Sequence, residues 1–65
     1  MKTVDWREWA KNDKASVCEI ANIYAGDFVK ALMEVYIRAD ILNTAKIINT
    51  WEEEFKRLHS FYLGS

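Results

Sequence analysis

No proline interrupts this chain, and only two glycines, one cysteine and one histidine occur among its 65 residues. Each shortage excludes something. A lone Cys18 cannot form a disulfide within the chain, and Cys18 with His59 falls short of the four or so ligands a structural zinc wants. Gly26 and Gly64 lie far apart, so no glycine-rich phosphate cradle of the GxGxxG or P-loop kind is present. No uninterrupted apolar run approaches the roughly 18 residues of a membrane span. The opening stretch MKTVDWREWAKNDK has no apolar centre of the kind a secretory signal carries. With the single thiol, these features predict a cytoplasmic protein without membrane association. Charge of one sign is also missing. The net charge of −1 provides no strong field for nucleic acid, an anionic membrane or an acidic partner.

What is present is apolar and aromatic. Hydrophobic residues make up 51% of the chain and aromatics 14%, against an average apolar share of about 45–50% even with glycine counted. A chain this short forms one domain, residues 1–65, and buries only about 60% of its unfolded surface. Domains of this size draw on disulfides, metals, dense helix packing or oligomerisation. The first two are excluded, which leaves packing and association.

Strand-like alternation is absent and apolar residues recur at helical spacing, so the predicted class is all-α. Three helices are expected, at about 5–12, 16–40 and 44–62. The first has Asp5 and Glu8 at capping-box spacing, with Val4 placed to staple against Trp9, and Trp6, Trp9 and Ala10 share one face. The second opens on Ser16 and Glu19, another capping box. Its stripe keeps phase across Gly26, which predicts one continuous rod about 36 Å long. The third presents Ile47, Ile48, Trp51, Phe55, Leu58 and Tyr62 in an arc of about 100°. Its charged face carries the i, i+4 pairs Glu52–Lys56 and Glu53–Arg57. The apolar arcs of the second and third helices differ in phase by about 130°, and Asn43 and Thr44 are plausible caps. An antiparallel helical hairpin closing there is therefore predicted, with Ile48 near the end of the second helix and Tyr62 near Ile20 and Tyr24.

The second helix is apolar over about 160° of its wheel, more than an arc of about 100° on its neighbour can cover. The Trp6/Trp9 segment covers a further strip, and Ile23, Met33 and Ile37 are left without an obvious partner in the chain. Trp6, Trp9, Ile23, Met33 and Ile37 are the expected protein-interface residues, with Met33 and Ile37 on a twofold axis of a dimeric helical bundle.

Candidates for chemistry are few. His59 falls at the edge of the third helix among polar residues, with no orienting partner or nucleophile nearby, and reads as a surface histidine. Cys18 lies in a first helical turn, where the dipole could lower its pKa. It also lies on the apolar face near Tyr36, and packing as a small hydrophobe is the preferred reading. Glu52, Glu53 and Glu54 point about 100° apart and cannot converge on one ion. Trp51 is centred on its apolar arc and reads as core. No catalytic residue, cofactor or metal is expected. The predicted function is a small non-enzymatic regulator or inhibitor that binds a protein partner through an apolar helical surface, as a homodimer. The alternative is a small helical DNA-binding transcriptional regulator, disfavoured because Glu52–Glu54 share a helix with the basic residues a reader would need.

Overall fold

The computed structural model describes residues 5–64, and these form an all-helical domain of five short helices. They are α1 (Trp6–Asn12), α2 (Lys14–Tyr24), α3 (Asp27–Arg38), α4 (Ile41–Thr50) and α5 (Glu52–Gly64). No strand occurs among the described residues. The domain measures 28 × 24 × 19 Å along its principal axes, so the expected rod of about 36 Å does not fit inside it.

The expected second helix is instead cut at Ala25 and Gly26, which are extended with ψ of 161° and −175°. Ala39 and Asp40, with ψ of 143° and −178°, end it close to where it was expected to end. The stripe keeps phase across Gly26, yet the residues on either side of the cut pack against different neighbours. The expected third helix is also two elements, bent at Trp51, where φ is −111° and ψ is 39°. Trp51 N–H still donates to Ile47 O, and Phe55 N–H to Trp51 O, so the hydrogen bonding passes through the bend. Thr50 and Glu53 stand at capping-box spacing across this bend.

Aspartates set the helix starts. Asp5 caps α1 by accepting from Arg7 N at 3.1 Å, as its position suggested. Asp13 caps α2, accepting from Ser16 N at 3.3 Å, and its own N–H bonds Trp9 O to finish α1. The helix therefore begins two residues before the expected cap at Ser16, whose hydroxyl instead accepts the Trp9 indole N–H. Asp40 caps α4 through Asn43 N at 2.8 Å, so the chain turns at Ala39–Asp40 rather than at Asn43–Thr44. Gly26 precedes α3 with no side-chain cap. Three glutamates open α5 and complement its dipole. The staple proposed for Val4 lies outside the described residues.

The core gathers on Tyr36, which is fully buried. Its ring lies 5.1 Å from that of Phe55, and its hydroxyl donates to Ala10 O. That carbonyl lies in the last turn of α1, where helical partners run out. Val17, Ile20 and Ala21 of α2, Met33 of α3, Ile48 of α4 and Phe55 and Leu58 of α5 complete the same cluster. Helix α2 packs on both α3 and α5, and α1 packs on α2, α4 and α5. Tyr62, expected near Ile20 and Tyr24, stacks on Trp9 at 4.7 Å, and its neighbour Phe61 stacks on Tyr24 at 4.4 Å.

One polar device joins three elements. Lys14 Nζ donates to Tyr36 O, Ala39 O and Thr44 Oγ1 at 2.8, 2.9 and 2.7 Å. Thr44 is buried and its hydroxyl lies 3.3 Å from Ala39 O as donor. The ammonium thereby satisfies carbonyls at the end of α3 and holds the first turn of α4 against them.

Candidate interaction surface

The five expected interface residues fare differently. Trp9 is 2% exposed and Met33 5% exposed, so neither lacks a partner within the chain. Met33 lies between α2 and α3, beside Cys18 and Ala21. Its assignment to uncovered surface is corrected: the cut at Gly26 folds α3 back onto α2, which covers what a continuous rod would have left open. Trp6 is half-buried, with the Arg7 guanidinium 4.7 Å and the Lys56 ammonium 5.8 Å from its ring. Ile23 and Ile37 are 64% and 48% exposed. They sit near opposite ends of the α2–α3 pair, one in the last turn of α2 and the other in the last turn of α3.

The most exposed apolar side chains are ones the sequence reading passed over. Ile41 is 85% exposed and Leu42 77% exposed, both in the first turn of α4, and Val35 of α3 is exposed as well. On the α4 wheel, with Thr44 and Ile48 buried on one side, Leu42, Lys46 and Asn49 fall on the opposite side at about 100° per residue. Two depressions flank these turns and meet at Ala39. One, of about 240 Å³, is lined by Lys11, Ile41, Leu42 and Ala45 among others. The other, of about 540 Å³, is lined by Val35, Arg38, Asn43, Lys46 and Ile47. Asp40 was the available signal: a cap there puts Ile41 and Leu42 in the first turn of a helix, Ile41 at its exposed end on the side of Thr44 and Ile48, and Leu42 about 100° round from it.

A second apolar region is aromatic. Tyr24 and Phe61 stack with an interplanar angle of 3°, and Phe28 meets Trp51 edge-on at 5.0 Å. Trp51 is therefore half-buried at a bend rather than a central core residue. The cavity between Tyr24, Val29, Arg57 and Phe61 holds only about 110 Å³.

The chemically capable side chains are held in structural roles. Burial pushes the Cys18 thiol up from its ordinary value, and Lys14 only partly offsets this. A raised pKa keeps the thiol protonated, the opposite of what a nucleophile requires. Tyr36 is likewise pushed up by burial, with further contributions from Cys18 and Asp13. His59 is not the surface residue expected. Its ring packs 5.3 Å from Trp9 and 6.0 Å from Tyr62, and its Nε2 is buried without a hydrogen-bond partner. Glu52 bonds Arg7 at 2.7 Å and Lys56 at 3.4 Å, tying α1 to α5. Among the described residues no group of three His, Cys, Asp or Glu side chains is arranged to hold a metal ion. Nor is any helix among them long and apolar enough to cross a membrane. Comparison with known proteins gives no match: no family model, no curated protein and no solved structure is similar to this chain.

Proposed function

We propose that this chain is a small non-enzymatic regulator or inhibitor that acts by binding a larger protein through an apolar helical surface. The observation that carries this reading is the exposure of Ile41 and Leu42 on a domain whose core is already filled by other residues. Adjacent large aliphatic side chains left in water, with concave surface on either side, have the anatomy of an interface centre rather than of scattered surface residues. A single cysteine, which cannot form a disulfide within the chain, fits a cytoplasmic setting for such a protein.

The test is capture. The full chain, immobilised and exposed to lysate of its native host, should retain a protein in near-stoichiometric amount that a domain of matched charge does not. Retention of nothing beyond that control would overturn the reading.

A second reading, self-association into a dimeric bundle, draws on Ile23 and Ile37. It has lost Met33, which the chain itself covers. Light scattering coupled to size exclusion should then show twice the 7.6 kDa of one chain. A monomer at high micromolar concentration, or a dimer unaffected by Ile23→Glu and Ile37→Glu, would overturn it.

A further inference from the structure

The geometry points to one class of occupant for the outer flank of α4: an acidic amphipathic helix of a partner protein. This inference deepens the binding reading above and rests on it. Its basis is the sign of the charges around the exposed aliphatics. The depression lined by Ile41 and Leu42 carries Lys11 and Lys14, the one across Ala39 carries Arg38 and Lys46, and no carboxylate lines either. Asp40, which caps α4 and stands next to Ile41 in the chain, offsets one of these four cations. Lys14 is committed to carbonyls of α3 and to Thr44, and Arg38 lies 3.9 Å from Glu34. Lys11 and Lys46 have no ion-pair partner among the described residues. A chain of net charge −1 thus concentrates unpaired positive charge around its most exposed apolar side chains.

That arrangement selects among occupants. A twofold contact between two copies through this flank would bring Lys46 and Lys11 toward their own images, and like charges across an interface oppose association. A partner helix with apolar anchors at i, i+3, i+4 and i+7, flanked by glutamates, matches both features. Its anchors meet Ile41 and Leu42 and enter the depression they line, while its carboxylates meet Lys11 and, on the outer side of α4 with Leu42, Lys46. Nucleic acid would meet the cations but would leave Ile41 and Leu42 without apolar contact.

The probe is a synthetic helical peptide with leucines at those four positions and glutamates between them, titrated into the full chain. Amide chemical shifts report contacts even at millimolar affinity. Perturbations should centre on Ile41, Leu42 and Lys46 and weaken as salt is raised, since screening sets in within about 10 Å at 0.1 M. Ile41→Ser with Leu42→Ser should weaken binding roughly tenfold or more. Lys11→Glu with Lys46→Glu should also weaken it, while Ile23→Ser should leave it unchanged. All of these side chains are exposed, and unaltered circular dichroism would show that the variants remain folded. Absence of shifts up to the solubility limit, shifts centred elsewhere, or equal binding of a scrambled peptide would overturn the inference. So would stronger binding to phosphatidylserine vesicles or duplex DNA than to the peptide, or a dimer that Ile41→Ser and Leu42→Ser dissociate. If the variant lacking both aliphatics still captures the host protein, only this surface assignment fails. If the wild type captures nothing, the binding reading fails with it.

Discussion

Replacing Lys14 by Met should destabilise the domain by about 2–3 kcal/mol, although the residue opens a helix and lies near the surface. The side chain stays unbranched, is one atom shorter, and loses all three donors. Tyr36 O, Ala39 O and Thr44 Oγ1 then lose a charged donor at 2.7–2.9 Å. Hydrogen bonds to charged groups contribute about 1.5–3 kcal/mol each when well buried. Here the environment is only partly buried, so water regains some of that, and the lower end of the range for one or two bonds applies. The C-terminal dipole of α3 adds about 0.3–1 kcal/mol, and the ammonium, 5.1 Å from the Tyr36 ring, adds about 0.5–1 kcal/mol. Releasing an ordered lysine returns up to about 2 kcal/mol of side-chain entropy, part of which methionine also loses. Urea unfolding followed by circular dichroism measures the difference, and for a domain of this size about 2 kcal/mol corresponds to roughly 8–16 °C in Tm. A double-mutant cycle with Thr44→Val should show coupling of about 0.5–3 kcal/mol. A Lys14→Met protein within about 0.5 kcal/mol of wild type, the range of ordinary surface substitutions, would refute the reasoning.

Tyr36→Phe should cost about 1–3 kcal/mol, because Ala10 O is left buried without its donor. Since Tyr36 is pushed up from 10.0 in the folded state, the unfolded chain gives up that proton first. Stability should therefore be fully present below about pH 10 and fall as pH rises above it, a decline reduced in Tyr36→Phe and read by denaturant titrations at several pH values. Met33→Ala should lower stability by about 2–5 kcal/mol, as expected of a core residue; a change in association with stability intact would restore its interface role. Gly26→Ser should raise stability by roughly 0.5–1 kcal/mol. Its φ of −85° suits any residue, a Cβ there meets nothing within 4 Å, and α3 has no side-chain cap; a thermal melt at or below that of wild type would contradict this.

The helical class and much of the core were legible in the sequence because periodicity reports burial directly: Ala10, Ile48, Phe55 and Leu58 are buried on the faces assigned to them. The cap at Asp5 was legible for the same local reason. Helix lengths were not. A stripe that keeps phase across Gly26 looks the same whether the helix continues or folds back, and that choice decided the fate of Met33. Asp13 and Asp40 carried the missing signal, each an aspartate whose carboxylate accepts from the amide three residues on. The bend at Trp51 has no aspartate beside it, and its signal was Thr50 and Glu53 at capping-box spacing. Lys14 reaches acceptors 22 to 30 residues away, and no local pattern encodes such a reach. The basic, aliphatic flank of α4 was hidden because Ile41 and Leu42 were assigned to a turn rather than to the start of a helix.

The shortness of the helices has a consequence for how the molecule comes apart. None exceeds 13 residues, and isolated helices below about 12–15 residues are marginal in water. Each therefore owes its persistence to its neighbours, and contacts such as Arg7–Glu52 tie the first helix to the last. No segment can detach and remain ordered by itself, so helicity and the burial of Trp9 should vanish over the same narrow range of denaturant, as one cooperative unit.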